Sequence, residues 1–432
     1  MRYILLILIV ALIACESSKP PAPVTNREDY TKLIQTNTFT LVNNVSIDEF
    51  WCKKITDEPK AAIFYRKWVE HKSRQFDRTG DVMLLYEIDS LLHSASTIFS
   101  KQEQVNSLLM RSSNAIKLHH FKKAAIYAQN AYELTNEKFG PLMMIFDAYM
   151  ELGYFYESGK ILRDNKRMDS FDYLVRLSKY QDHIGDLDSA IVLMETALDL
   201  TKSRNDKKGL WARTNLGDLY GHAGRIGESY DQYLGVLQDR PEFSYALRGI
   251  AWITYAHDFK IIESEELFSS LKERSLLPDA YLLLAELADF QGNDLQQVQY
   301  LTSFLAEASK PVYGDMYNKY LIELWSEEPG TLEDALTLAQ REVSRRSTPL
   351  TYTLLAWCHS QAGNHGLALD IVNANVLHKT YEPGIMAKVG MIYYAAGRKK
   401  EAKMYCYEGL EAAFELGPMT TRQLKSAIFA NG

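Results

Sequence analysis

The chain has 432 residues, enough for two or three compact domains, and carries a formal net charge of −7. Its 24% charged and 47% hydrophobic residues are typical of a soluble fold. The acidic balance, with no block of Lys and Arg residues, argues against nucleic acid as a partner.

The N-terminus has the features of a cleavable signal peptide. Arg2 supplies a short positive region, and residues 4–14 form an apolar run that is too short to span a bilayer. Leu12-Ile13-Ala14-Cys15 resembles the lipobox of bacterial lipoproteins. The resemblance implies a signal peptide over residues 1–14 and lipid chains such as palmitate on Cys15. An uncleaved anchor with a chance cysteine is the alternative.

Such a lipid anchor would place the protein in the bacterial cell envelope, as an outer membrane lipoprotein on either face of that membrane. Residues 15–27 are polar and rich in proline, which predicts a flexible tether. Residues 28–59 are predicted to form an N-terminal cap, with a loop or short helix over 28–44. Ser46, followed three residues later by Glu49, favours a helix start with a capping box.

Prolines recur at a nearly fixed spacing in the second half of the chain, with gaps of 37, 33, 38, 34 and 35 residues. A constant period in this range indicates a stacked helical repeat. Glycines follow a similar period at the predicted turns, where a left-handed backbone would end the first helix of each pair. These positions are Pro241, Pro278, Pro311, Pro349, Pro383 and Pro418, and Gly153, Gly185, Gly224, Gly292, Gly363 and Gly397.

One unit shows the repeat most clearly, with Leu216-Gly217, Tyr220, Gly224, Ser229, Tyr233 and Pro241 in order. This pattern resembles the tetratricopeptide repeat (TPR), a helix–turn–helix of about 34 residues. Small residues such as Gly217, Gly390 and Ala190 would let paired helices approach closely. The family's first tryptophan is missing, and Arg213 and Met386 stand at that position.

We therefore expect an all-α fold, a right-handed α-solenoid of about ten TPR-like helix pairs over residues 60–430. A final helix over residues 419–429 would cap its exposed apolar end. The alternative is an ordinary helical domain with incidental glycines. The pairs are predicted to start near residues 60, 104, 141, 171, 208, 243, 278, 311, 349 and 383.

The resemblance implies a binding groove on the concave surface, lined by the first helix of each pair. Basic, amide and aromatic side chains at exposed groove positions would suit an extended peptide. About half of the candidates could instead be surface or packing residues. The candidates are Arg176, Lys179, Trp211, Asn215, Asp218, Tyr245, Arg248, Trp252 and Tyr255.

No catalytic or phosphate-binding motif is present, so we expect neither an enzyme nor a cofactor. The adjacent pairs His119-His120 and Cys358-His359 do not share a helix face and predict no metal site.

The predicted function is a membrane-anchored scaffold that binds a protein or peptide partner in its groove. The alternative is a SusD-like glycan-binding lipoprotein, because 27 tyrosines and six tryptophans could stack on sugars.

Overall fold

A computed structural model of the chain describes residues 22–35, 45–201, 203 and 206–429. The predicted signal peptide and the lipidation site Cys15 lie outside these residues, as does most of the predicted tether. Within the described ranges the structure contains 23 α-helices and one short 3-10 helix, and no β-strand. The predicted all-α class is confirmed.

Twenty of the helices form ten consecutive antiparallel pairs, preceded by α1 (Arg27–Gln35) and α2 (Val45–Asp57) and followed by α23 (Ala413–Phe429). In order the pairs are α3 (Ala62–Thr79) and α4 (Met83–Ser94); α5 (Lys101–Lys117) and α6 (Phe121–Leu134); α7 (Phe139–Leu152) and α8 (Phe155–Asp164); α9 (Phe171–His183) and α10 (Leu187–Asp199); α11 (Lys207–His222) and α12 (Ile226–Asp239); α13 (Ser244–Ala256) and α14 (Ile261–Arg274); α15 (Asp279–Phe290) and α16 (Asp294–Ala308); α17 (Asn318–Glu327) and α18 (Leu332–Arg345); α19 (Pro349–Gln361) and α20 (His365–Asn375); and α21 (Pro383–Ala395) and α22 (Lys399–Glu411).

The turns within the pairs depend on the periodic glycines. All six predicted turn glycines have a positive φ, between 70° and 86°. This left-handed conformation carries little steric penalty without a Cβ, so it ends the first helix and reverses the chain. Two pairs lack a turn glycine, and there His119 (φ 57°) and Phe259 (φ 54°) take the same conformation. The α-solenoid predicted from these spacings is confirmed.

Small residues mark the point where the two helices of a pair cross. A Cβ on Gly217 would lie 2.8 Å from the Tyr233 ring, and one on Gly390 would lie 2.7 Å from Cys406 Sγ. Buried serine hydroxyls bridge this crossing to a backbone carbonyl twelve residues away, at 2.7 Å for both Ser178 to Ala190 and Ser229 to Gly217. The close helix approach predicted for Gly217, Gly390 and Ala190 is therefore observed.

Three element boundaries differ from the prediction. The eighth pair begins at Asn318, because Pro311–Tyr313 forms a separate 3-10 helix. Helix α2 begins at Val45, so Ser46 lies inside the first turn and is not its N-cap. The last helix begins at Ala413 rather than near 419 and is broken at Gly417, where φ is 79° and ψ is 167°.

The solenoid winds so tightly that it contacts itself after five pairs. The turn of the first pair bonds to the link after the sixth, where Leu276 N–H donates to Thr79 O at 2.8 Å. The turn of the fourth pair meets the link after the ninth, since a Cβ on Gly185 would lie 2.9 Å from the Tyr381 ring. At the fifth pair, His222 Nε2 lies 3.9 Å from Glu415 Oε2. The concave surface is therefore enclosed as a channel.

The segment before the solenoid is held against its middle. Asp258, whose side chain is fully buried, accepts hydrogen bonds from Val24 N–H (2.9 Å) and from both the N–H (2.8 Å) and the hydroxyl (2.5 Å) of Thr25. Helix α1 then buries Tyr30, whose hydroxyl donates to Glu263 at 2.6 Å. The flexible tether expected over residues 15–27 is thus fixed from residue 24 onward, because Asp258 binds its backbone.

Helix α2 lies against the first pair of the solenoid. Asp48 Oδ1 accepts hydrogen bonds from Trp68 Nε1 (2.6 Å) and from Lys72 Nζ (3.1 Å). Helix α1, by contrast, packs against α12 and α14, which are far along the solenoid from α2.

Candidate functional site

The channel contains several adjoining cavities between the first helices of the pairs. The largest, about 790 Å³, lies between α5, α7, α9 and α11. A smaller one of about 270 Å³ lies between α11, α13 and the start of α23. Both are lined by Asp218 and His222, so they adjoin along α11. Five predicted residues line the larger cavity, and these are Arg176, Lys179, Trp211, Asn215 and Asp218.

Two of the predicted residues tie neighbouring pairs together. Arg176 donates to Asp147 at 2.6 Å and to the backbone carbonyl of Met143 at 2.9 Å, both on α7. Lys179 forms an ion pair with Glu151 at 2.9 Å, also on α7. Since their charges are already compensated, these two side chains shape the wall of the cavity more than they attract a ligand.

Trp211 is the one aromatic side chain among the five predicted residues that line the larger cavity. It remains 43% exposed and packs edge-on against Phe171, with ring centroids 6.3 Å apart. Lys208 lies 4.8 Å from the Phe171 ring, beside the same surface. Asn215 lines the same cavity, and its amide nitrogen donates to the Trp211 carbonyl of its own helix at 2.8 Å, which leaves the amide oxygen to accept from a ligand.

Asp218 joins the two cavities and is held by two tyrosines. Its carboxylate accepts hydrogen bonds from Tyr233 at 2.5 Å and from Tyr245 at 2.8 Å. Burial raises the pKa of Asp218 even though both hydroxyls favour the charged form.

Arg248 lines the smaller cavity and donates no hydrogen bond within the part of the chain described by the structure. The carboxylates of Asp279 and Asp218 lie close enough to act on its charge, but its N–H groups remain available to a ligand carboxylate.

The last two predicted residues have different roles from those expected. Trp252 lines the smaller cavity, but its indole Nε1 already donates to the carbonyl of Phe414 at 3.0 Å. Tyr255 does not face the channel at all, because it is fully buried in the core of the fifth to seventh pairs. Its hydroxyl donates to Glu286 at 3.3 Å. Tyr255 is thus a packing residue.

A third cavity, about 620 Å³, lies where the third to fifth pairs meet the eighth to tenth. Four carboxyl groups line it, and burial raises the pKa of three of them, Asp182, Glu382 and Glu415. His222 lines this cavity as well as the other two and lies nearest to Glu415. Lys179 and Arg346 line the same cavity, so its wall carries both signs of charge.

The channel residues that come from the C-terminal half were not predicted from the sequence. Phe414 and Glu415 enter the channel from α23, and Glu286 of α15 lies beside Gly417 of the same helix. The only local signal for this arrangement is Gly417-Pro418, which breaks the last helix. Its place within the channel depends on contacts across more than 160 residues.

Within the described ranges, no group of three or more His, Cys, Asp or Glu side chains is arranged to hold a metal ion. Cys358 is buried, which raises the pKa of its thiol to about 12. None of the helices in this part of the chain combines the length and apolarity that a membrane span needs.

No protein-family model matches the chain, and no curated protein sequence is similar to it. Among solved structures, the Cut9–Hcn1 hetero-tetramer of the APC/C is 12% identical, with a TM-score of 0.33, over 94% of this chain and 99% of that one. The human IFIT1 dimer with PPP-AAAA is 14% identical, with a TM-score of 0.46, over 68% of each chain. A Rap protein complexed with competence and sporulation factor is 12% identical, with a TM-score of 0.44, over 70% of this chain and 90% of that one. With every TM-score below 0.5, these likenesses carry no inference about what this chain binds.

Proposed function

We propose that this chain is a lipoprotein of the bacterial outer membrane, anchored through Cys15, and that its solenoid is a scaffold that binds a protein partner in the channel. The proposal includes no catalysed reaction and no cofactor. The lipobox resemblance of Leu12-Ile13-Ala14-Cys15 supports the anchor. The channel geometry supports the binding role.

The accessible Trp211 in the cavity of about 790 Å³ is the observation that carries the binding role. An exposed indole gives rigid contact area, and large aromatic residues often dominate the energy of protein interfaces. Free polar groups lie within reach of the same channel, notably Asn215 and Arg248. An extended peptide, with alternating side chains and backbone amides, would match such a lining.

The test is affinity capture from the native envelope with the full-length protein and two variants. Trp211→Ala should lose a stoichiometric protein partner. Tyr156→Ala is the matched control, because Tyr156 is 73% exposed on α8, a second helix outside the channel. Equal capture by the wild type and Trp211→Ala would contradict binding in the channel.

Sugar recognition is the competing outcome of the same experiment. If the purified protein binds polysaccharide and Trp211→Ala abolishes that binding while no protein is captured, the partner is a glycan and the scaffold proposal fails.

The anchor has an independent test in metabolic labelling with an alkyne analogue of palmitate. The wild type should be labelled, and Cys15→Ala should not. Cys52→Ala provides the control, because Cys52 is an exposed cysteine outside the lipobox. Label that persists in Cys15→Ala, or is lost in Cys52→Ala, would overturn Cys15 as the site.

A further inference from the structure

The two parts of α23 make different contacts. Its second part, residues 419–429, buries Leu424 and Ile428 against Ala387 and Cys406 of the last pair. These contacts cap the exposed end of the array. The first part, residues 413–418, adds Leu416 to the same contacts, and it also brings Phe414 and Gly417 to the channel wall formed by α11, α13 and α15.

The backbone of this crossing segment is bound by side chains of the channel wall. Trp252 Nε1 donates to Phe414 O at 3.0 Å. Glu286 faces the backbone of Met419, just after the break. Between them, a Cβ on Gly417 would lie 2.7 Å from Trp252 and 2.9 Å from the Glu286 carboxylate. The wall thus fits a main chain that passes close to it.

Two side chains of the segment also make their own contacts with the channel wall. The ring of Phe414 packs against the hydrophobic core of the fifth to seventh pairs. It fits beside Gly221, where a Cβ would lie 3.0 Å from the ring. Glu415 faces His222, with 3.9 Å between Oε2 and Nε2. An aromatic anchor followed by an acidic residue therefore has a defined place in the channel.

The segment fills only part of the space. The cavity of about 270 Å³ remains between Phe414, Tyr245 and the unbonded Arg248. Beyond it, the cavity of about 790 Å³ extends to Trp211. A longer peptide that followed the same path could reach both Arg248 and Trp211, which the internal segment does not.

We propose that the channel wall around Trp252 and Glu286 is a peptide-binding site, occupied here by the chain's own residues 413–418. The partner is a protein segment with an aromatic residue followed by an acidic one, like Phe414-Glu415, and it displaces the internal segment. The break at Gly417-Pro418 lets the first part of α23 leave while the second part keeps capping the array. This inference deepens the proposed binding function and rests on it.

The probe is a fluorescent synthetic peptide with the sequence of residues 411–419, titrated into full-length protein by anisotropy. The wild type should bind weakly, because its own segment competes. Phe414→Ala should vacate the site and bind the peptide at least about tenfold more tightly. Adding Trp252→Phe to that variant keeps a ring but removes the N–H donor, and it should weaken the peptide about tenfold again.

Two controls make the result specific. Phe429→Ala truncates an aromatic side chain that is 64% exposed at the end of α23, and it should bind the peptide as weakly as the wild type. A peptide with alanine in place of its phenylalanine should not bind any variant. No gain of affinity in Phe414→Ala, or affinity unchanged by Trp252→Phe, would overturn the proposal.

A second measurement does not depend on any variant folding. Excess peptide added to the wild type should accelerate backbone hydrogen exchange in residues 413–418 and not in residues 419–429. Unchanged exchange at a saturating concentration would contradict displacement. If the peptide results fail while Trp211-dependent partner capture persists, only this inference falls. If the peptide binds as expected but no partner is captured, the proposed function falls and the internal site stands.

Discussion

The indole Nε1 of Trp252 donates a hydrogen bond of 3.0 Å to the carbonyl oxygen of Phe414, 162 residues further along the chain. This contact joins the sixth helix pair to the segment after the tenth. It also places that segment inside the channel that the first helices enclose. Stability and partner access are therefore expected to depend on the same residues.

Gly417→Ala should loosen this segment. Gly417 has φ 79° and ψ 167°, and a Cβ there would lie within 3 Å of both Trp252 and Glu286. We expect a loss of about 2–3 kcal/mol, because the backbone must leave a region that L-residues avoid. Hydrogen exchange of residues 413–418 and thermal unfolding would measure it.

Gly366→Ala is the matched control for this change. Gly366 lies in α20 with open space around it, so alanine should be neutral or slightly stabilising. Equal destabilisation by both substitutions would mean that the close approach at Gly417 is not the cause.

Glu286 should make stability depend on pH. Burial, ahead of other effects, raises its pKa from 4.5 to about 7 in the folded protein. Between these values the folded protein keeps a proton that the unfolded chain has lost, so stability falls as pH rises through this window. The neutral Glu286→Gln should remove this contribution and be more stable than the wild type at pH 8, by roughly 1–3 kcal/mol.

Thermal unfolding from pH 5 to pH 8 would test this prediction. The difference in Tm between Glu286→Gln and the wild type should grow as the pH rises. Glu333→Gln changes an exposed carboxylate of α18, and its Tm should follow the wild type throughout. A constant difference for Glu286→Gln would show that this carboxyl group does not titrate in the window.

Asp258→Ala should release the N-terminal segment from the solenoid. The substitution removes the acceptor of three hydrogen bonds from Val24 and Thr25. We expect docking to weaken by about 1–3 kcal/mol, seen as faster hydrogen exchange and proteolysis in α1. Asp231→Ala, at an exposed position on α12, should leave α1 protected. Unchanged protection in Asp258→Ala would mean that Tyr30 and its neighbours alone hold the helix.

Ala190→Trp should disrupt the crossing within the fourth pair. Ala190 is fully buried, and its carbonyl accepts the Ser178 hydroxyl at 2.7 Å. Overpacking of this kind costs about 1–3 kcal/mol. Val192→Trp, on the same helix but 58% exposed, should cost little. A normal free energy of unfolding in Ala190→Trp would be incompatible with the repeat register.

The repeat could be predicted because its determinants are local. A turn glycine such as Gly224 and a crossing residue such as Gly217 act within one helix pair, so their spacing appears directly in the sequence. The two pairs without a turn glycine form the same turn, because His119 and Phe259 take the left-handed conformation in its place.

The closure of the channel could not be predicted in the same way. It depends on small rotations that accumulate from pair to pair, and no single residue determines them. The docking of Thr25 on Asp258 and the insertion of Phe414 beside Trp252 follow from that winding. Tyr255 was assigned to the groove because it lies near the groove positions in sequence, whereas its side chain turns into the core.

Site-specific photocrosslinking in living cells would test the central claim, partner binding in the channel, most directly. A benzophenone amino acid at position 211 lies in the largest cavity, and one at position 156 lies outside the channel. We predict one discrete protein adduct from position 211 and none of the same mass from position 156. No adduct at position 211, or the same adduct from both positions, would contradict it.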